Sequence, residues 1–265
     1  MWRLLLPALA LLFAFGLDAR LCRAATADDD SAEAKARRVE QIQRALKAAA
    51  PPVPNRRQIS AGSGFFVATE RVLTNRHVVE GCPAITTEGA DGDTLVADVA
   101  AVDPDHDLAL VRTMRPAPAV ARFSIAPRYV KGDMIAVVGY PDQGLQRIVP
   151  FVTSGSMLGV DGRDPTHSRF AVSADVRHGD SGGPVLNVLG RVIGVINAKV
   201  DTVKVYQKTG KVVDDIGLGI ANVAVLDFLR HSGVEVTQDE GDKPLDDRAL
   251  LTELRPVMVR IACWK

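Results

Sequence analysis

Residues 172–184, V-S-A-D-V-R-H-G-D-S-G-G-P, constrain this chain more than any other stretch. Gly179, Gly182 and Gly183 surround Ser181 with positions that tolerate positive φ and a close approach by another chain. Pro184 then restarts extended backbone, followed by the apolar pair Val185 and Leu186. Such a turn aims backbone N–H groups at a point beside the serine hydroxyl, the arrangement that stabilises the oxyanion of an acyl-transfer intermediate. Taken alone, the stretch is equally a glycine-rich β-turn with an exposed serine. A base and an orienting carboxylate elsewhere in the chain would separate the two readings.

From residue 58 onward the chain consists of short apolar runs broken by Gly, Asp and Pro. They cover 65–67, 71–74, 94–102, 107–113, 134–139, 148–153, 170–174, 185–188, 192–196 and 217–221. The strand–helix alternation of a parallel sheet is missing, so the pattern predicts an all-β barrel or sandwich. One helix is expected over 223–232, with Val225, Leu226, Phe228 and Leu229 on its apolar face and Gly233 ending it. Two of the β-like segments carry further chemistry. Ser63-Gly64-Phe65-Phe66-Val67 and the following Val72-Leu73-Thr74-Asn75-Arg76-His77 deliver His77 just after a strand. In Asp103-Pro104-Asp105-His106-Asp107-Leu108-Ala109-Leu110, Asp107 is the last polar residue before a buried-looking strand. A partly shielded carboxylate there can fix a histidine tautomer and stabilise its cation. Asp103 and Asp105 belong to an exposed proline-containing turn and compete less well for that role. His106, His167 and His231 are expected on the surface, and His178 near Ser181, lining the cleft.

The ends of the chain are different in kind. Arg3, the apolar run 4–17 and the small-residue site Ala25-Thr26-Ala27 predict a secretory leader over 1–27. Removing it leaves no segment expected to insert stably in a membrane, and enough chain for one large or two small cores. Residues 28–57 form an expected N-terminal arm. In it Val39, Ile42, Leu46 and Ala49 recur at helical spacing, and Pro51-Pro52-Val53-Pro54 make a stiff linker. The formal net charge is +0 and no basic block interleaves with aromatics, so nothing points to nucleic acid. Cys82 and Cys263 are the cysteines that survive leader removal, a number suited to one disulfide rather than a metal site. Cys263 shares strand parity with Val257, Val259 and Ile261, which predicts a final strand laid on the domain with Cys263 reaching Cys82.

G-S-G-F-F before T-N-R-H-V-V, then D-L-A-L, then G-D-S-G-G-P followed by G-R-V-I-G-V-I, resemble the trypsin-like serine peptidases, within them the bacterial HtrA (Do/Deg) branch. The resemblance spans about 58–234, with 235–265 left as a C-terminal extension. It implies two antiparallel β-barrels with the site in the cleft between them. It also implies a catalytic set of His77, Asp107 and Ser181, and an oxyanion hole at the 179–181 turn, Gly179, Asp180 and Ser181. Asn197 falls where relatives pair an extended substrate backbone, and Asp175 matches in register the pocket-floor aspartate of trypsins. The implied partner is a polypeptide substrate; no metal or organic cofactor is implied, and the implied compartment is the bacterial periplasm. Two features depart from the pattern. No PDZ-sized region follows Val234, and Asp180 stands where the HtrA branch commonly has Asn.

Two other functions compete. Gly179-x-Ser181-x-Gly183 formally fits the nucleophile elbow of a serine esterase, with Asp214 or Asp215 and His231 completing the set. That fold requires a helix directly after the serine, whereas Pro184-Val185-Leu186 reads as a strand. The remaining alternative is a catalytically silent, protease-like binding module.

Overall fold

The computed structural model describes residues 37–38, 53–114, 116–142, 149–162, 164–213 and 215–265. The expected leader, the periodic positions of the N-terminal arm, Pro51-Pro52 and Asp214 lie outside the described residues. The chain divides into two compact units, Met1–Ala50 and Pro51–Lys265. In the first, Arg37 and Arg38 are helical. The second carries all the described strands.

Strands β1 (Gln58–Ala68), β2 (Arg71–Asn75), β3 (Ala84–Gly89), β4 (Thr94–Asp103) and β5 (Leu108–Thr113) join the last strand, β14 (Met258–Trp264), in a closed barrel. Its order is β1-β14-β3-β4-β5-β2. The C-terminal strand is therefore set in the barrel wall rather than laid on it. Ile261 pairs with Gly62 on one side and with Thr87 on the other, both antiparallel. Its parity follows from burial, since Val259 and Ile261 join Phe66, Val72, Ile85 and Val111 in the barrel interior.

The second barrel is contiguous in sequence. It comprises β7 (Met134–Gly139), β8 (Phe151–Val160), β9 (Arg169–Ser173), β10 (Pro184–Asn187), β11 (Val192–Lys199) and β12 (Ile216–Ala221). Pairing of β10 with β11 closes it. Ile135, Val137, Met157, Phe170, Val185 and Ile193 fill it. The expected strand over 148–153 begins later and continues further, because β8 pairs with β7 from Phe151 and with β9 as far as Val160. Short strands β6 (Arg122–Phe123) and β13 (Thr237–Gln238) pair in parallel at its margin.

A third cluster of buried apolar side chains joins the barrels and explains why many strands read as unbroken apolar runs. Phe65 faces this seam while Phe66 faces the first barrel. Ala136 and Val138 face it while Ile135 and Val137 face the second barrel. Strands buried on both faces lose the simple polar alternation.

The expected C-terminal helix is α3 (Asn222–His231), which buries Val225, Phe228 and Leu229. Three further helices accompany it among the described residues of this second unit. They are α1 (Arg76–Val79), α2 (Thr202–Thr209) and α4 (Asp247–Leu254). Asp201 caps α2 and Asp246 caps α4 through their carboxylates. Arg191, nearly buried, ties the segment after α3 to the second barrel by pairing with Asp239 and with Glu253.

Candidate active site

His77 is the second residue of the single-turn α1, which follows β2 directly. Its backbone N–H donates to Asp107 Oδ1 at 2.9 Å, and its Nδ1 lies 2.6 Å from Asp107 Oδ2, where a protonated nitrogen donates to the carboxylate. Asp107 reaches this position from a left-handed backbone, φ 55°, just before β5. Aspartate tolerates that region better than most residues. The Asp107 carbonyl accepts from Arg76 N–H at 3.0 Å and from Asn75 Nδ2 at 3.1 Å, which holds the two-strand end rigid. Asp103 bonds instead to the neighbouring His106 and to the N–H of Asp105.

Ser181 lies across the seam, in the turn that leads into β10. The trans peptide geometry of this turn fixes where its N–H groups point. The His178 carbonyl accepts from Asp142 N–H at 2.8 Å, so the Gly179 N–H of the same peptide is directed the opposite way. The Asp180 carbonyl accepts from Gly183 N–H at 2.9 Å, which turns the Ser181 N–H outward in the same manner. Asp180 does not share this arrangement. Its own N–H donates to the Arg177 carbonyl at 3.1 Å, which leaves Gly179 and Ser181 as the donors of the expected trio. Positive φ at Gly179 (97°) and Gly182 (88°) makes the turn possible, and a Cβ on Gly182 would meet the Ser63 carbonyl and Thr74 Oγ1.

The Asp180 side chain is 3% exposed and packs over Gly139. Its Oδ2 accepts from Arg177 N–H at 2.8 Å. Burial pushes the carboxyl up to about 6. The position of Ser60-Ala61-Gly62 is occupied by unbroken β1, so no cut chain end stands there to meet Asp180.

Asn197 plays a part that its sequence position did not suggest. A register shift between Ile196 and Ala198 places it on a bulge of β11. Freed from the ladder, its Nδ2 donates to Asp107 Oδ2 at 2.6 Å, while its carbonyl accepts from Ser181 Oγ at 3.1 Å. Ser63, which belongs to the first motif but had no assigned role, is a second link between the barrels. Fully buried, it donates through N–H to the Ser181 carbonyl (2.8 Å) and through Oγ to the Gly179 carbonyl (2.6 Å). Its Oγ also accepts from Tyr140 N–H. A small hydroxyl beside the first glycine was the available signal.

One arm of the cleft runs past Asn197, Ala198 and Lys199. Asp175, near this arm, is bound by Arg177 through Nε at 2.8 Å and through Nη2, and Lys199 Nζ lies 3.5 Å away. The Arg177 bonds hold its carboxyl below the usual range. His178 borders both this arm and the opposite one. Among the described residues the esterase arrangement is not present. A strand follows Ser181, His231 Nδ1 lies 2.9 Å from the Asp227 carbonyl on α3, and Asp215 faces Lys199.

Residues 62–195 match the trypsin-like peptidase domain. The chain belongs to the trypsin-like peptidase family. It is 30% identical over 205 residues to an uncharacterized protein, y4bJ, of Sinorhizobium fredii, covering 77% of this chain and 32% of that one. A probable periplasmic serine endoprotease, DegP-like, of Chlamydia trachomatis is 33% identical over 55% of this chain and 29% of its own length. The chain thus spans about a third of the length of these curated relatives. Among solved structures, the active form of the Rv3671c protease of Mycobacterium tuberculosis superposes with a TM-score of 0.53 at 26% identity. That match covers 68% of this chain and 77% of the other. The two closed barrels are those of this family, and the trypsin-like, HtrA-like resemblance read from the motifs holds.

Proposed function

We propose that this peptidase-family protein is an exported serine endopeptidase that cuts polypeptides through an acyl-enzyme. The observation that carries the reading is the double hold of Asp107 on His77, backbone and ring together, facing a glycine-built serine turn across the barrel seam. Ser181 Oγ leaves the Asn197 carbonyl, gives its proton to His77 Nε2 and attacks the scissile carbonyl. Asp107 holds the imidazolium, and Gly179 and Ser181 N–H groups receive the oxyanion. His77 returns the proton to the leaving amine, and water then repeats the sequence on the ester.

Acyl-side specificity follows from the arm beside Asn197. Asp175 is already engaged by Arg177 and Lys199, so it offers no free counter-charge to a substrate lysine or arginine. The leader-like N-terminus and the DegP-like relatives described as periplasmic support a periplasmic location.

Mass spectrometry after treatment with a fluorophosphonate tests this reading. Ser181 should carry the label, and Ser181→Ala should lose both the label and peptide hydrolysis, by on the order of a millionfold in kcat. An unlabelled Ser181 in folded protein would return the reading to a silent binding module.

A further inference from the structure

The cleft has a second arm, and the C-terminal strand supplies its charge. Beyond Ser181, on the side away from Lys199, it is lined by Ile59, Val78, Tyr140, Pro141, Asp142 and Arg260. The arm past Asn197 takes the acyl side of the substrate, so this one takes the residues that follow the scissile bond.

Arg260 comes from β14, where it pairs in register with Ser63 of β1 and with Glu88 of β3. Its neighbours Val259 and Ile261 point into the barrel. Arg260 has the opposite parity, and its side chain is 15% exposed. Among the described residues, its guanidinium makes one hydrogen bond, Nη2 to Gln58 Oε1 at 3.0 Å. Glu88 Oε2 stands 3.6 Å from Nη1, outside hydrogen-bond range. Burial pushes the Glu88 carboxyl up and the pull of Arg260 opposes it, and the two groups form an ion pair too long to use up a donor of the fork. Asp142, on the facing lip, is engaged in an interaction of its own, and its N–H is given to His178. A guanidinium is a rigid fork of donors with no acceptor, and a carboxylate is the group that fills such a fork from one direction. Arg260 thus stands part-buried in the cleft with donors to spare.

We infer that Arg260 is a specificity-determining residue that selects a carboxylate on the leaving-group side of the cut. The carboxylate is either an Asp or Glu side chain or the free C-terminus of a short leaving segment. This rests on the endopeptidase reading for its meaning, but its test does not require turnover.

The mature chain carrying Ser181→Ala is titrated with fluorescent peptides that share one acyl-side sequence. One has Gln at the three leaving-side positions and a terminal amide. Three more each place Glu at one of those positions, and a fifth ends after them in a free carboxylate. Glu at one position, or the free carboxylate, should bind about tenfold more tightly than the amide at low salt. Whichever of the two gains identifies the source of the carboxylate. Adding Arg260→Gln should erase the gain, and Arg260→Lys should keep part of it, because the charge remains while the fork is lost. Equal affinity across the Ser181→Ala series would overturn the inference, as would a preference that survives Arg260→Gln. If Arg260→Gln fails to fold, the Ser181→Ala series and Arg260→Lys still decide. Failure of the endopeptidase reading shows up separately, as an unlabelled Ser181 in the fluorophosphonate experiment.

Discussion

The two barrels share a strand count and differ in how they are closed. The second is a continuous run of chain, and its tight places are backbone solved by glycine. Gly194 and Gly219 lie against Phe170, where a side chain would collide with the ring. The first recruits a strand from the far end of the chain and locks it there with the Cys82–Cys263 disulfide, across a separation of 181 residues. The bridge lies five residues beyond His77, at the end of the segment that follows α1. His77, the base of the proposed mechanism, is therefore positioned by covalent and topological closure, and Ser181, its proposed nucleophile, by permissive backbone. Between them, Ser63 and Asn197 reach across the seam and bond each to the other barrel's reactive segment. A site divided in this way can be broken from either side, with different signatures.

After loss of Ser181 itself, breaking the first-barrel chemistry should have the largest effect. Asp107→Asn keeps the shape but presents N–H where His77 needs an acceptor, and kcat should fall about ten-thousand-fold with the fold intact. If Asp107→Asn keeps near-normal turnover while Asp105→Asn loses it, the assignment of the orienting carboxylate is wrong. Closure is the next test. Replacing both cysteines with serine should lower unfolding free energy by about 5 kcal/mol in the chain-entropy picture. Hydrogen exchange should rise first in β14 and β1, with the second barrel protected. Uniform loss of protection in both barrels would show that the two do not differ as described.

This division also explains what could be read from the sequence. The segments holding His77, Asp107 and Ser181 stood out because each couples a polar side chain to a local pattern of turn and apolar run. Strand β3 was not visible, because Ala84-Ile85-Thr86-Thr87-Glu88-Gly89 has little apolar content of its own. Its strand character is imposed by β14 and β4 on either side. The helix α2 was hidden for the opposite reason. Thr202-Val203-Lys204-Val205-Tyr206 alternates like a strand, yet the Asp201 cap and the left-handed Gly210 make it helical. The role of Asn197 depends on a bulge, which is a property of pairing register and leaves no mark in composition. Arg260 was unreadable as a cleft residue because it is brought to Ser181 from 79 residues away only by β14 entering the barrel wall.

The second barrel is sharpened by Asp180. Its carboxyl titrates near 6 in the native state and at 3.8 when solvated. The folded protein therefore binds the proton more tightly. Stability is unaffected by this group below pH 4, falls as pH rises toward 6, and carries the full penalty above it. The difference corresponds to about 3 kcal/mol. Asp180→Asn removes the charge while its amide oxygen still accepts from Arg177 N–H. The variant should be more stable by up to about that amount in urea unfolding at pH 8, and no different at pH 4. A loss of stability at pH 8 would mean that the carboxylate has a cationic partner that the native contacts do not include.

The smallest expected effect separates two readings of one residue. Sequence register placed Asn197 against the substrate backbone, whereas the structure sets its side chain on Asp107 and its carbonyl on Ser181 Oγ. Asn197→Ala leaves the backbone free to pair with substrate but removes one donor from the carboxylate that stabilises the His77 cation. A hydrogen bond to a charged group is worth about 1.5–3 kcal/mol, and Asp107 keeps its two bonds from His77. The expected loss is therefore at the low end, about tenfold, and it should fall on kcat because the interaction strengthens as the imidazolium forms. Asn197→Ser, which can still offer an O–H to Asp107, should recover part of it. A change confined to KM, with kcat untouched, would assign the side chain to substrate binding and remove it from the link between the barrels.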